Sequence, residues 1–179
     1  MPPFHRILIT GASGCGSSTL GRALRCRLGY AFIDTDDLFW HATTPPYQHK
    51  RDRAERLALA LDALSKNPTI VMAGSICGWG EQLERAFDLV VFLTVPTEIR
   101  LKRLERREAR RGLHDPEFFA WAASYDIGAT EGRNRQMHEQ WLAALQCPVL
   151  RLDGQRRIAD LVSEIATLSC DKQLPRPGR

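Results

Sequence analysis

The stretch RILITGASGCGSSTLGRAL, Arg6 to Leu24, decides how this chain is read. Ile7-Leu8-Ile9 is a compact apolar run that reads as a buried strand ending at Thr10-Gly11. Gly11 to Gly16 is a glycine-rich turn. From Ser17 to Leu28 the spacing becomes helical, with Leu20, Ala23, Leu24 and Leu28 on one face. Strand, glycine turn and helix in that order are the setting of a phosphate-binding loop of the pattern G-x-x-x-x-G-K-[ST]. Glycines let the backbone curl so that successive N–H groups point at one phosphate, and the helix start adds partial positive charge. Gly11, Ser13, Gly14, Cys15, Gly16, Ser17, Ser18 and Thr19 are therefore candidate nucleotide-binding residues, with the Ser18 hydroxyl placed for Mg2+. A thiolate at Cys15 would be stabilised by the same amides. The dinucleotide pattern G-x-G-x-x-G fails, because after Gly14 and Gly16 its third glycine site holds Thr19.

The lysine position of the loop holds Ser17. A hydroxyl cannot replace a charge that reaches the terminal phosphates. A charge-assisted hydrogen bond is worth roughly 1.5–3 kcal/mol, so its loss weakens nucleotide binding about tenfold or more. The backbone cradle survives, and nucleotide binding is expected. For catalysis another cation must act, and Arg107 and Arg135 are the candidates.

Working outward, short apolar runs alternate with amphipathic ones. Strands are expected at Tyr30–Ile33, Thr69–Ala73, Leu89–Val95 and Pro148–Leu152. Helices are expected at Arg53–Lys66, Thr97–Arg111, Thr130–Leu145 and Ile158–Leu168, with a less regular aromatic segment from Gly112 to Asp126. Strands apolar on both faces and separated by helices imply an α/β fold, a three-layer α/β/α arrangement around a parallel sheet. Ligands bind at the carboxyl ends of such strands. The 179 residues suit one domain, taken as residues 1–170, with a loose tail at 171–179. Hydrophobic residues at 44% and charged residues at 26% exclude a disordered or fibrous chain. The net charge of +4 favours an anionic partner without naming one. Five cysteines (Cys15, Cys26, Cys77, Cys147 and Cys170) without C-x-x-C spacing argue against a disulfide framework or a thiolate zinc site. With no signal-peptide pattern and no long apolar stretch, the expected location is the cytoplasm, with no membrane partner.

Two further groups of residues carry chemistry. Asp34, Asp36 and Asp37 follow a buried strand. Carboxylates there hold Mg2+ through water, accept a proton from a hydroxyl, or merely cap the next helix. Between Arg100 and Arg111, Arg100, Arg103, Arg107 and Arg110 recur at spacings of three and four and form one basic stripe, with Leu101 and Leu104 facing the core.

In these motifs the chain resembles the P-loop kinases of the adenylate kinase, shikimate kinase and gluconate kinase group. GASGCGSSTLGRAL looks like their phosphate loop and first helix, FIDTDD like their acidic motif, VVFLTVP and the following arginine helix like their fourth strand and lid approach, and LDG like their fifth-strand loop. The resemblance implies a five-stranded sheet of order 2-3-1-4-5, an ATP site, Mg2+ and a short lid at about 111–127. It implies that Gly154 lies by the adenine, that Arg103 stacks on adenine, and that Arg107, Arg135 and the nearby Arg133 meet phosphate. Asp34 and Asp36 then serve magnesium and substrate. It also implies an acceptor region at about 37–68 with Trp40, Lys50 and Arg51, beside Gly74, Ser75 and Trp79. The expected activity is ATP-dependent phosphoryl transfer to a small acceptor, a nucleoside monophosphate slightly preferred. A nucleotide-binding module with little turnover is the alternative. A basic nucleic-acid binder is the third reading.

Overall fold

The computed structural model describes residues 4–128 and 133–168. Five parallel strands, β1 (Arg6–Gly11), β2 (Ala31–Asp34), β3 (Ile70–Ala73), β4 (Leu89–Thr94) and β5 (Val149–Asp153), lie in the order β2-β3-β1-β4-β5. In β1, Ile7, Leu8 and Ile9 are all fully buried, because successive side chains enter opposite layers. Ile7 and Ile9 join Val71, Val91 and Leu93 beneath α1 (Ser17–Leu28) and α8 (Ile158–Leu168). Leu8 joins Met72, Val90 and Phe92 on the other face, beneath α3 (Arg53–Lys66) and α7 (Arg135–Ala144). That two-sided core is why the strands read as unbroken apolar runs rather than alternating ones.

Helix limits follow local chemistry. Gly16, in the left-handed region at φ 100, opens α1, and Gly29 closes it by donating to the Arg25 carbonyl. Asp52 caps α3 by accepting from the Glu55 amide. Gly112 stops α5 (Thr97–Arg111). The segment after Gly112 is more regular than its aromatic composition implies. Asp115 accepts from the amides of Glu117 and Phe118, Pro116 takes the first helical position, and α6 runs Pro116–Ala123. A 3-10 turn, Ser124–Asp126, follows. The helix expected from Thr130 starts later, because Asn134 caps α7 by accepting from the Met137 amide. Thr130, Cys170 and the tail 171–179 lie outside the described residues. Two short helices, α2 (Thr35–Phe39) and α4 (Glu81–Glu84), are too short to leave a periodic signature.

The fold brings five loops to the carboxyl ends of the strands: Gly11–Gly16, Asp34–Asp37, Gly74–Ser75, Pro96 and Asp153–Gly154.

Candidate active site

The phosphate loop is held open by its neighbours. Gly14 has φ +82, and a Cβ there would stand 2.7 Å from the Arg100 carbonyl, so α5 packs directly on the loop. On the far side a Cβ at Gly154 would stand 2.8 Å from the Cys15 carbonyl. Gly154 is thus a close-approach residue that seats the β5 loop on the phosphate loop. Among the described residues, the N–H groups of Ser13, Gly14, Gly16 and Ser18 donate to no backbone carbonyl, while that of Cys15 donates to Ala12. Ser18 and Thr19 lie in the first turn of α1, and Gly11 ends β1 opposite Leu93. Cys15 is 1% exposed, and burial pushes its thiol up. The expectation of a stabilised thiolate is corrected: desolvation outweighs the bonds from Ser17 and the pull of Arg133 and Arg100, leaving a buried thiol. Ser17 stands in the lysine position, and its polar groups favour the thiolate without overcoming that burial.

The arginines divide into distinct roles. Arg100 does not belong to an exposed stripe. It is 1% exposed and bonds the carbonyls of Val95 (3.2 Å), Ser13 (3.2 Å) and Ala122 (3.1 Å), the Thr97 hydroxyl (2.8 Å) and Asp126 Oδ2 (2.8 Å). Arg100, Leu104 and Glu108 are the buried residues of α5, at i, i+4 and i+8. Spacing from Leu104 therefore marked Arg100 as inward-facing. Burial resists the ionisation of Asp126, but the bonds from Thr97 and Arg100 outweigh it and hold its carboxyl below the usual range. Arg103 bonds the carbonyls of Cys15 (3.3 Å) and Gly154 (3.0 Å), between the phosphate loop and the β5 loop. Arg107 pairs with the buried Glu108 at 2.6 Å, lies 5.9 Å from the Phe118 ring centre, and is close enough to lower the Asp36 pKa. Arg135 is exposed, 3.6 Å from Asp126, and lines a cavity of about 300 Å3 with Thr94, Tyr125 and Asp153. Arg133 comes to the loop itself. Its Nη2 donates to Ser13 Oγ at 2.9 Å, and its guanidinium lies 5.4 Å from the Trp121 ring centre.

The three aspartates separate by role as well. Asp34 caps α2, accepting from the Asp36 amide at 3.2 Å, and lies 3.7 Å from Arg22. Asp36 and Asp37 are exposed in the first turn of α2. Protein crowding and then Asp34 raise the Asp36 carboxyl, against Arg133 and Arg107. The same two causes raise Asp37, against Arg22. Ser18 and Asp36 are both hard oxygen donors. Among the described residues no cluster of three His, Cys, Asp or Glu side chains that could hold a metal occurs.

On the acceptor side, Trp40 and Lys50 form an isolated antiparallel bridge. The Lys50 ammonium sits 5.7 Å from the Trp40 ring centre, and Phe39 and Tyr47 pack edge-on to it. Arg51 is tied to Glu55 (2.7 Å) and His41 (3.0 Å). Trp79 is 5% exposed and belongs to the core. Gly74 continues the sheet, donating to the Ile9 carbonyl, and brings Ser75 to the site. Sequence reading missed what stands behind Ser75. His138, fully buried, contacts Ser75 Oγ through Nε2 at 2.9 Å and the Tyr125 hydroxyl through Nδ1 at 2.8 Å. Burial, then Arg133, lower His138 to about 3, so the ring is neutral. Burial, with Asp126, keeps Tyr125 protonated against Arg133. In a neutral ring one nitrogen donates and the other accepts, so His138 couples Ser75 to Tyr125 in either tautomer. The signal was His138 on the same helical face as Trp141 and Leu142, at i+3 and i+4.

A five-stranded parallel sheet in this order, with a glycine loop and helix after β1, defines a phosphate-loop fold of the kinase type. Residues 7–119 match the AAA domain family, AAA_18, and the chain belongs to it. It is 39% identical over 170 residues to the uncharacterized protein YqaC of Bacillus subtilis, covering 89% of this chain and 94% of that protein. It is 30% identical over 172 residues to shikimate kinase 2 of Serratia proteamaculans, covering 81% and 98%. Among solved structures, shikimate kinase from Acinetobacter baumannii in complex with shikimate superposes with a TM-score of 0.64 at 18% identity, covering 97% of each chain. A gluconokinase from Sinorhizobium meliloti superposes with a TM-score of 0.55 at 19% identity, covering 92% and 91%. The structural likenesses speak for the fold.

Proposed function

We propose that the protein transfers a phosphoryl group from ATP to a small hydroxylated acceptor. The observation that carries this reading is the meeting of donor and acceptor sides at one side chain: Arg133 bonds Ser13 of the phosphate loop and acts electrostatically on Asp36. The phosphate loop would hold the nucleotide through the amides of Ser13, Gly14, Gly16 and Ser18. In the reaction the acceptor hydroxyl oxygen bonds the γ-phosphorus, the bond to the β-phosphate oxygen breaks, and ADP leaves. The hydroxyl proton passes to the Asp36 carboxylate, whose raised pKa brings it nearer a general base at neutral pH. Ser18, with Asp36 acting through water, would hold Mg2+, which would neutralise charge on the phosphates. Arg107, from α5, stands close enough to Asp36 to assist at the phosphoryl group.

The acceptor class follows from what is occupied. Trp40 is covered by Lys50, Phe39 and Tyr47, and Trp79 is in the core. Trp79 is closed off and Trp40 is already flanked by three side chains, so a compact polar acceptor is preferred here to a nucleoside monophosphate, in keeping with the kinases among its relatives. Ser75, held by His138 just past the end of β3, would hydrogen-bond an acceptor oxygen. The stripe that suggested nucleic acid is broken by the burial of Arg100. The proposed setting is the cytoplasm; no helix of the described residues is long and apolar enough to cross a membrane.

The test is ADP release from Mg·ATP across a panel of hydroxy acids, sugars and nucleoside monophosphates. One hydroxy acid or sugar is expected to stimulate release well above the ATP-only rate. If Mg·ATP binds and no acceptor stimulates release, the alternative of a nucleotide-binding module takes its place.

A further inference from the structure

The loop has a cradle but no charge of its own, since Ser17 holds the lysine position. The other cations near it are largely engaged. Arg100 is bonded to five acceptors, among them the Ser13 carbonyl. Arg103 is held by loop carbonyls. Arg107 is paired with Glu108, and Arg135 lies by Asp126, exposed. Arg133 differs from all of these. Its Nη2 reaches a side-chain hydroxyl of the loop at 2.9 Å, a bond that a stronger acceptor can replace. Its Nε is buried and has no hydrogen-bond partner among the described residues. Burial works against its charge, while Asp36 and the Cys15 and Tyr125 groups work for it. A guanidinium with an unsatisfied donor beside unbonded loop amides is half of an anion site.

We infer that Arg133 supplies the positive charge that a phosphate loop of this kind ordinarily takes from its own lysine, binding the terminal phosphates of the nucleotide from the segment before α7. The inference rests on the nucleotide-binding part of the proposed function and moves the substitute cation from Arg107 and Arg135 to Arg133. The position explains why serine is tolerated at 17: the charge arrives from outside the loop. It also places one cation between the phosphate loop and Asp36, where charge develops during transfer.

The experiment is equilibrium binding of Mg·ATP, Mg·ADP and adenosine to the wild-type protein, to Arg133→Ala, and to Arg133→Ala combined with Ser17→Lys. Arg133→Ala is expected to weaken Mg·ATP about tenfold or more and to leave adenosine unchanged. Adding Ser17→Lys is expected to restore most of the lost affinity, because it returns the charge from inside the loop. Arg133→Gln, which keeps a polar hydrogen-bonding side chain without the charge, serves if the alanine variant does not fold and is expected to lose affinity in the same way. Equal Mg·ATP affinity in wild type and Arg133 variants overturns the inference. So does a loss that extends equally to adenosine, or one that Ser17→Lys does not recover. A wild-type protein that binds no Mg·ATP overturns instead the reading on which the inference rests.

Discussion

Asp36 stands at the open mouth of the site, yet its carboxyl is held above the usual range, first by the protein crowding it and then by Asp34. Arg133 and Arg107 pull the other way. If the carboxylate form accepts the proton, turnover rises with pH through a midpoint above that of an ordinary aspartate. Removing a cation must raise that midpoint further. Arg107→Ala is therefore expected to move the acid limb of the kcat profile to higher pH, and Asp36→Asn to lose transfer without loss of fold. An acid limb that stays in place in Arg107→Ala separates Arg107 from Asp36. At this scale the sequence was informative about where the phosphate loop and the carboxylates Asp34, Asp36 and Asp37 fall, because each group follows directly on a strand end. It was silent wherever a role depends on what lies across the fold. Asp34 and Asp36 have the same chemistry and neighbouring positions, and only the turn into α2 makes one a cap and the other a free carboxylate. Arg133 and Arg135 are likewise two residues apart, and only the cap at Asn134 sends one to the loop and the other to solvent.

Among the elements, α5 holds the deepest commitment. Arg100 satisfies three carbonyls, a hydroxyl and a carboxylate while almost fully buried. Removing the guanidinium strands those acceptors and leaves Asp126 without its main partner. Breaking a buried pair in this way costs about 3–5 kcal/mol, so Arg100→Ala is expected to lose that much in chemical denaturation. A loss under 1 kcal/mol would show that water replaces the network. Helix α7 carries a second buried polar group. His138 binds its proton at about 3 in the folded protein, below its ordinary value of 6.5. The unfolded chain therefore takes up a proton that the folded chain refuses as pH falls through that window. Stability is full above about 6.5 and declines toward 3, by on the order of 3 kcal/mol at pH 4. His138→Gln, which keeps a donor and an acceptor, is expected to flatten that acid slope; an unchanged slope places the acid sensitivity elsewhere. The limits of α1, α3 and α8 were legible because each has an apolar stripe, and those of α5 because Pro96 and Gly112 bracket its charged run. Helix α6 was not, because FFAWAA is apolar without a period and only Asp115-Pro116 announces it.

Across the whole molecule, the parallel sheet was readable from its two-sided apolar strands, and its order followed from the family likeness rather than from any pattern in the strands themselves. What no strand pattern carries is how the loops at its carboxyl edge are joined. Arg100 ties the Ser13 carbonyl of the phosphate loop to the Ala122 carbonyl of α6 and to Asp126. A single guanidinium therefore belongs to both the phosphate loop and the segment that follows α5. Neither can fray alone without breaking bonds shared with the other, so the two segments open as one cooperative unit although more than a hundred positions separate Ser13 from Asp126 in the chain. Order gained by one on meeting a ligand is order gained by both.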